Sequence, residues 1–158
     1  MSVAFRAMRP GEENAVAAMI RQLPKDLGLH AQVAITGDAL REAADTIRIT
    51  VADNSGLLLG TCLWMITFST WRGVKGMYVC DMFVMSHMRG QKLGERLLRA
   101  AAKQAAAEGA RYIKLEASAE NLRPAQFYTK LKFEVATKDH LMFLEPNNFQ
   151  HFIAEQEK

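Results

Sequence analysis

The sequence predicts one mixed α/β domain, and three observations carry that prediction. Short apolar runs of strand length alternate along the chain with segments of helical periodicity. Their order is a strand, two helices, a hairpin, a strand-helix-strand unit, a helix and two final strands, which is typical of one layered domain. With 158 residues and 49% hydrophobic composition, the chain can bury a real core. Because no repeat or linker interrupts it, we expect residues 1–158 to form a single domain with a short C-terminal tail from about residue 147.

The N-terminal third is predicted to hold the first strand and two helices. Residues 3–8 form a short apolar run of strand length. Pro10 suits a first helical turn, so a helix is expected from there to about Leu23. Pro24 then breaks the pattern. Thr36 is a typical N-cap for a short second helix.

The middle of the chain predicts the core of the sheet. Residues 46–69 form two apolar runs joined by a turn at residues 53–56, which predicts a hairpin. Residues 77–85, MYVCDMFVM, are almost continuously apolar, as in a central strand covered on both faces. A long helix with an apolar stripe follows, and Gly109 suits its C-terminal cap. The strand RYIKLEAS, the helix PAQFYTKL opened by Pro124, and two strands within residues 133–146 complete the order.

Composition excludes several classes of protein. Cys62 and Cys80 fit no metal-ligand or disulfide spacing, so we expect reduced thiols. The four histidines are scattered, so no metal site is expected. No apolar run approaches the roughly 20 residues of a membrane span, and the N-terminus lacks the apolar stretch of a signal peptide. We therefore expect a cytoplasmic protein with no membrane partner.

Positive charge is concentrated in one third of the chain. Residues 86–132 contain ten Lys or Arg against four Asp or Glu, whereas the remainder contains ten against thirteen. This asymmetry favours a phosphate-bearing partner, either a nucleotide or a nucleic acid. Four of the cations recur at helical spacing and predict one basic helix face: Lys92, Arg96, Arg99 and Lys103. A solvated face without function would show the same stripe.

The sequence RGQKLG at residues 89–94 joins the apolar strand to the basic helix. The first amides of a helix have no intrahelical acceptor, and the helix dipole favours an anion beside them. Gly90 and Gly94 would let a ligand approach the backbone closely. Arg89, Lys92 and Arg96 crowd a helix start where acidic residues are usual, and a bound phosphate would explain that placement. The turn lacks the glycines of a Walker A loop or a Rossmann motif.

Taken together, the strand YVCDMFVM, the turn RGQKLG, the alanine-rich helix, the strand YIKLEAS and the segment ENLRPAQFYTKLKF resemble the GNAT family of N-acetyltransferases. The resemblance is specific across residues 68–133 and points most to the diamine acetyltransferase branch. It implies an α/β (α+β) fold whose mixed, mostly antiparallel sheet of six to seven strands is flanked by about four helices. It also implies an enzyme that transfers an acetyl group from acetyl-CoA by direct attack of a primary amine.

The resemblance implies a cofactor site as well. In the family, an Arg/Gln-x-x-Gly-x-Gly/Ala turn holds the pyrophosphate of acetyl-CoA by its backbone amides. The matching residues here are Arg89, Gly90, Gln91, Lys92, Leu93 and Gly94. Lys92 replaces the family's middle glycine, yet it keeps the amide and adds positive charge. The backbone of Met82, Phe83 and Val84 would pair with the pantetheine arm, and Asn121 would hydrogen-bond it.

Two side chains are candidates for proton transfer. The resemblance places Tyr128 at the cofactor sulfur, where a phenol of pKa about 10 stays protonated and can protonate the departing thiolate. Diamine acetyltransferases carry a Glu-Asp pair in the central strand, where this chain has Cys80 and Asp81, so Asp81 is the candidate base. An ion pair of Asp81 with Arg72 or Lys75 explains the sequence as well. A buried structural thiol explains Cys80 better than a nucleophile does.

The acceptor is predicted to be a small amine or an amino acid rather than a polyamine. The segment LPKDLGLHAQV contains only Asp26 as an acid, and the loop before the central strand is basic, so both would repel a multiply charged amine. We expect Asp81 and Cys80 to contact the acceptor, with Trp71 and Trp64 as walls of its site.

The sequence leaves three further hypotheses open. The missing glutamate is consistent with a CoA-binding domain that has little or no transferase activity. A nucleic-acid module is disfavoured, because no exposed aromatics interleave with the basic stripe. A homodimer is expected from the apolar C-terminal residues Phe149, Phe152 and Ile153.

Overall fold

The computed structural model describes residues 2–154 and comprises two compact units, divided in sequence between Ala117 and Ser118. The elements of the first unit are β1 (Ala4–Ala7), α1 (Glu13–Ile20), α2 (Leu23–Asp26), α3 (Gly37–Glu42), β2 (Arg48–Asn54), β3 (Leu57–Ser69), β4 (Val74–Val84), a 3₁₀ turn (Ser86–Met88), α4 (Leu93–Ala107) and β5 (Ile113–Leu115). The second unit contains α5 (Leu122–Lys130) and α6 (Pro146–Ala154).

The sheet lies in the first unit and has the strand order β1-β2-β3-β4-β5. Its first three pairings are antiparallel and the β4-β5 pairing is parallel, which confirms a mixed, mostly antiparallel sheet. The predicted count of six to seven strands is wrong for the described residues, which form five. Residues 133–146, expected to supply two strands, form none, and residues 134–145 are exposed throughout. Without a buried face, nothing fixes the register of a strand there.

Residues 2–154 also hold more helices than the four expected. Pro24 was expected to break the helical pattern, yet α2 forms there. A proline is tolerated in the first helical turn, because the amides of that turn have no intrahelical acceptor. α6 occupies the predicted tail, whose residues 155–158 lie outside the described part. α5 begins two residues before Pro124, since the side-chain oxygen of Asn121 accepts a hydrogen bond from the Arg123 amide and caps the helix.

Three predicted helix and turn signals are confirmed. The Thr36 hydroxyl accepts a hydrogen bond from the Ala39 amide at 3.1 Å and caps α3. The hairpin turns where expected, and Asp53 there accepts from the Gly56 amide at 2.7 Å. Gly109 has φ +102 after α4, so the chain closes a Schellman motif in which the Ala110 amide donates to the carbonyl five residues back.

Helices cover both faces of the sheet and bury a continuous core. On one face α1 and α3 pack over β2, β3 and β4; the buried residues there include Val16, Ile20, Leu40, Leu63 and Phe83. On the other face lies α4, whose buried stripe is the predicted one: Leu93, Leu97, Ala101 and Ala105. The small alanines let α4 approach the strands closely.

Candidate functional site

The turn between β4 and α4 is built around two left-handed residues. Gly90 has φ +78 and Lys92 has φ +59 with ψ +16, so Lys92 adopts a conformation that favours glycine. Within residues 2–154, the amides from Gly90 to Glu95 donate no hydrogen bond to a backbone or side-chain acceptor. These amides are therefore available to an anion at the start of a 15-residue helix.

The cations around this turn have different partners. Arg89 donates a 2.6 Å hydrogen bond to Asp26 of α2 and two weaker ones, at 3.2 and 3.3 Å, to the Val84 carbonyl at the end of β4. Arg96 lies over the Phe5 ring at 4.8 Å, and Arg99 pairs with Glu95. Of the predicted basic stripe, only Arg99 is thus ion-paired among the described residues, on an exposed helix face.

Lys92 differs from these arginines. Its side chain is exposed and forms no ion pair with any residue that the structure describes. Its ammonium group therefore remains available to an anion at the turn.

The strand that leads into the turn has an open edge. β5 pairs with β4 only from Met77 to Val79. In the described chain no strand continues this pairing along residues 80–84, although β3 pairs with the opposite edge as far as Val84. The predicted pantetheine-binding residues Met82, Phe83 and Val84 lie on this open stretch. An extended ligand arm could add there as a short strand.

A β-bulge in β4 changes the direction of the side chains next to this edge. Leu63 of β3 pairs with Asp81 and the next residue of β3 pairs with Val79, so Cys80 is an extra residue in β4. Directly paired residues share a face, which puts Asp81 on the same face as Leu63, under α1 and α3. Cys80 packs against that same core cluster. The bulge thus presents two consecutive side chains to one side of the sheet.

Asp81 is exposed and has no hydrogen bond or ion pair to another described residue. The alternative partner Arg72 lies instead over the Tyr112 ring, with Cζ 4.6 Å from the ring centre. Loss of solvation beside the apolar core raises the pKa of the Asp81 carboxyl above its ordinary value. Although water reaches this carboxylate, apolar neighbours surround much of it, which makes it a better base than an ordinary aspartate.

The two thiols are poor nucleophiles. Burial first, and then the negative charge of Asp81, raise the pKa of the Cys80 thiol to about 11. Burial raises the pKa of Cys62 to about 12. Both groups are protonated at neutral pH, which agrees with the interpretation of Cys80 as a structural thiol.

Two groups near Asp81 were not identified from the sequence. Tyr78 pairs with Met65 across the bulge and so lies on the same face as Asp81. Burial, followed by a hydrogen bond from its hydroxyl to the Glu116 carboxylate, raises the pKa of Tyr78 to about 12. Glu116 directly follows β5. Only the parallel register of β5 beside β4 reveals this pair, and no local sequence pattern encodes that register.

The second unit holds the remaining candidates. Asn121 caps α5 with its side-chain oxygen, so its NH₂ group takes no part in the cap. Tyr128 lies in α5, half-buried between two aromatic rings, Phe127 at 5.0 Å and Phe133 at 5.3 Å between ring centres. These contacts fix the phenol ring on the helix.

The two tryptophans occupy different environments. Trp64 is 1% exposed and its indole N–H donates to the Thr50 hydroxyl at 3.0 Å, so it belongs to the core on the α4 side. The prediction that Trp64 forms a wall of the acceptor site is therefore wrong, because a buried ring cannot contact a ligand. Trp71 is 99% exposed at the tip of the β3-β4 hairpin, beyond the end of β3.

Residues 2–154 contain no cluster of three or more His, Cys, Asp or Glu side chains arranged to bind a metal. None of the helices in this part of the chain combines the length and the apolar character needed to cross a membrane.

Comparison with known proteins agrees with this architecture. The family model "Acetyltransferase (GNAT) family" matches residues 17–133. Thialysine N-epsilon-acetyltransferase of Mus musculus is 27% identical over 139 residues, which is 80% of this chain and 81% of the relative. The protein of the same name from Bos taurus is 25% identical over 141 residues, 82% of each chain.

Solved structures share the fold. An integron cassette protein from the mobile metagenome of V. cholerae superposes with a TM-score of 0.78 at 19% identity, over 98% of this chain and 99% of that one. An aminoglycoside acetyltransferase from an uncultured soil metagenomic sample gives a TM-score of 0.70 at 12% identity, over 89% and 93%. The open strand edge, the bulge and the amide-rich turn thus occur in a chain that belongs to the acetyltransferase (GNAT) family.

Proposed function

We propose that this acetyltransferase uses acetyl-CoA to acetylate the primary amine of a small molecule, an amino acid or a small amine, by direct transfer. One observation carries the proposal: the open edge of β4 leads into a turn whose amides have no acceptor among the described residues. A ligand with an extended arm and a pyrophosphate fits that pair of features. The family membership supports the same ligand.

The turn would hold the pyrophosphate. The amides of residues 90–94, the dipole of α4 and the ammonium of Lys92 all favour negative charge at this point. Arg89 takes no part as a phosphate ligand in this proposal, because it is engaged by Asp26 and by the Val84 carbonyl. The pantetheine arm would lie along Met82 to Val84, with the NH₂ group of Asn121 as a further donor.

The proposed reaction needs three proton transfers: two from the nitrogen and one to the sulfur. An alkylammonium of pKa about 10.4 must lose a proton, which the carboxylate of Asp81 accepts directly or through a water. The amine nitrogen then forms a bond to the thioester carbonyl carbon, and the carbon–sulfur bond breaks. The phenol of Tyr128 gives its proton to the departing thiolate, and its phenolate then takes the second proton that the nitrogen loses as the amide forms. The products are the amide and CoA with a free thiol.

The acceptor would enter from the α1 side of the sheet. Asp81 and Cys80 face that side because of the bulge, and Glu116 lies near them through its hydrogen bond with Tyr78. Trp71 remains a candidate contact on the hairpin. The relatives named thialysine N-epsilon-acetyltransferase support a side-chain amine as the acceptor.

A CoA-binding domain with little or no transfer activity is the second candidate. The observation in its favour is that Cys80 stands where the diamine branch has glutamate, and its raised pKa prevents it from acting as a base at neutral pH. This candidate predicts binding without turnover.

Release of free thiol from acetyl-CoA in the presence of a panel of small amines distinguishes the two. We expect thiol release with at least one acceptor, and a fall in kcat of about 10²- to 10⁴-fold for Tyr128→Phe, the range for loss of a general acid. Phenylalanine keeps the contacts with the two neighbouring rings. Tyr112→Phe, which alters a phenol stacked beneath Arg72, is the matched control and should keep full activity. CoA binding without thiol release from any acceptor would favour the second candidate.

A cytoplasmic location and a homodimer are further proposals. Phe149, Phe152 and Ile153 of α6 are between 47% and 67% exposed, which supports an apolar contact with a second copy. The molecular mass in solution by light scattering tests the dimer, and a monomer at micromolar concentration would contradict it.

A further inference from the structure

A second carboxylate lies at the point where two strands of the sheet separate. β4 and β5 pair in parallel as far as Val79 and Leu115, and Glu116 is the next residue after β5. Beyond this level β4 continues to Val84 without β5, so the two strands form a fork. Glu116 therefore lies at the closed end of the open edge along residues 80–84.

The fork coincides with the position proposed for the thioester. An arm whose pyrophosphate lies at the turn of residues 90–94 would run back along the open edge of β4. Because β5 occupies the same edge of β4 up to Val79, the arm must end next to residues 80–81. The sulfur end of the arm would therefore lie at the level of Glu116.

The Glu116 carboxylate is held on the acceptor side of the sheet by Tyr78. The Tyr78 hydroxyl donates a hydrogen bond to it, and Tyr78 lies on the same face as Asp81. Burial is the largest cause of the raised pKa of Tyr78, about 12, and the negative charges of Glu116 and Asp81 both contribute to it. The phenol therefore stays protonated at neutral pH and lies within electrostatic reach of both carboxylates.

No cation of the described chain neutralises Glu116. Its side chain is exposed and forms no ion pair with any residue from 2 to 154. Lys114 pairs with Tyr78 across the two strands and so lies on the same face, yet it does not pair with Glu116. Glu116 and Asp81 thus give this face a negative field, which favours a cation.

We propose that Glu116 binds the ammonium group of the acceptor, and that Tyr78 is the positioning residue that holds the Glu116 carboxylate at the fork. An alkylammonium has three N–H donors, so it can donate to Glu116 while Asp81 accepts the proton that leaves. The inference rests on the proposed function and adds to it an acceptor contact that comes from the end of β5.

Glu116→Gln tests the contact, because it removes the charge and keeps an oxygen that can accept from Tyr78. In the thiol-release assay at neutral pH, KM for an amine that the wild type acetylates should rise about three- to tenfold. KM for acetyl-CoA should not change. The acetylated product is a neutral amide, so its inhibition constant should not change either. Glu120→Gln, which alters an exposed acid of the second unit, is the matched control.

A double-mutant cycle tests whether Tyr78 acts through Glu116. Tyr78→Phe should raise KM for the amine about two- to fivefold, because the carboxylate loses the donor that orients it. The same substitution in the Glu116→Gln background should have a much smaller effect, since the charge to be oriented is absent. Tyr112→Phe, which alters a phenol beneath Arg72, is the control. Equal effects of Tyr78→Phe in both backgrounds would overturn its positioning role.

Three other outcomes would overturn the binding role of Glu116. An unchanged KM for every active amine in Glu116→Gln would show that the contact is absent. An equal rise in KM for the amine and in the inhibition constant of its neutral product would show that Glu116 shapes the site without recognising charge. A fall in kcat of about 10²-fold or more, with KM unchanged, would make Glu116 the base in place of Asp81.

Failure of the proposed function itself would look different. The wild type would then release no thiol from acetyl-CoA with any acceptor, and this inference would fall with the proposed function. Thiol release by the wild type, together with unchanged constants in Glu116→Gln, would remove this inference alone.

Discussion

The two faces of the sheet differ in whether their polar side chains are hydrogen-bonded. Under α4, the Thr50 hydroxyl accepts from the Trp64 indole at 3.0 Å and donates to the side-chain oxygen of Gln104 at 2.8 Å. On the opposite face, at the bulge, the Asp81 carboxylate has no partner among the described residues, and its pKa is raised.

This difference separates a stabilising network from a reactive group. A buried hydroxyl that both accepts and donates a hydrogen bond carries no remaining desolvation cost, and its two bonds fix the core side chains in position. A carboxylate without a partner lowers stability when ionised, and such groups are retained where they bind or react. We therefore expect substitutions on the α4 face to change stability and those at the bulge to change activity.

The largest effect is expected for Asp81→Asn. Loss of a general base should lower kcat about 10²- to 10⁴-fold. Stability should move the other way. Because folding raises the pKa of Asp81, its contribution to stability is most favourable below the unfolded pKa, about 3.9, and is lost as pH rises through the folded pKa.

At pH 7 the asparagine variant should consequently unfold at the same or a higher temperature than the wild type. This difference should close as the pH falls below about 4, where the unfolded carboxyl is also protonated. Rates and melting curves across this pH range measure both effects. A fully active Asp81→Asn enzyme would remove Asp81 from the reaction.

Thr50→Val tests the α4 face. Valine has the shape of threonine but leaves the indole N–H of Trp64 and the oxygen of Gln104 without the hydroxyl. The free energy of unfolding should fall by about 1–3 kcal/mol, the cost of an unsatisfied buried group. kcat and KM should not change. Thr50→Ser keeps the hydroxyl, so its free energy of unfolding should fall by less. If the free energy of unfolding falls equally in both variants, packing and not hydrogen bonding explains the effect.

Lys92 separates backbone strain from charge at the turn. Its φ of +59 is unfavourable for a residue with a side chain, so Lys92→Gly should raise the free energy of unfolding by about 0.5–1 kcal/mol. Lys92→Ala keeps the strain and should give no such gain. Both remove the ammonium and should raise KM for acetyl-CoA by a similar, small factor. If KM for acetyl-CoA rises in Lys92→Ala but stays at the wild-type value in Lys92→Gly, the geometry of the turn controls binding and the ammonium does not.

The smallest effect is expected for Asp26→Asn, which breaks the ion pair with Arg89. Both side chains are partly exposed, so stability should fall by only about 0.2–1 kcal/mol. KM for acetyl-CoA should rise, because Arg89 also holds the Val84 carbonyl beside the turn. Asp38→Asn breaks the surface ion pair with Arg41 and is the control. An unchanged KM for acetyl-CoA in Asp26→Asn would show that the Asp26–Arg89 ion pair does not position the turn.

The features encoded locally were predictable from the sequence. The Thr36 cap, the hairpin turn, the α4 stripe and the Gly109 cap follow from residue types at fixed spacing, and each is present. The two final strands were not, because a strand needs a neighbour and a buried face, and residues 134–145 have no buried residue.

The geometry of the site depends on contacts distant in sequence. The bulge at Cys80 follows from how β3 and β4 pair, the Tyr78–Glu116 hydrogen bond from the register of β5, and the engagement of Arg89 from Asp26, 63 residues away. The spacing of the motifs predicted which residues lie in the turn and on β4. The contacts that those residues make could be identified only from the folded structure. Trp64 shows the same limit, since its sequence neighbours do not reveal which face of the sheet it occupies.

A crystal structure with bound CoA shows whether β4 and the turn at residues 90–94 hold the cofactor. We expect the pyrophosphate within hydrogen-bond distance of the amides of residues 90–94, the pantetheine arm along Met82 to Val84, and the sulfur beside the Tyr128 hydroxyl. CoA bound elsewhere, with no phosphate at these amides and no contact along β4, would contradict this mode of cofactor binding.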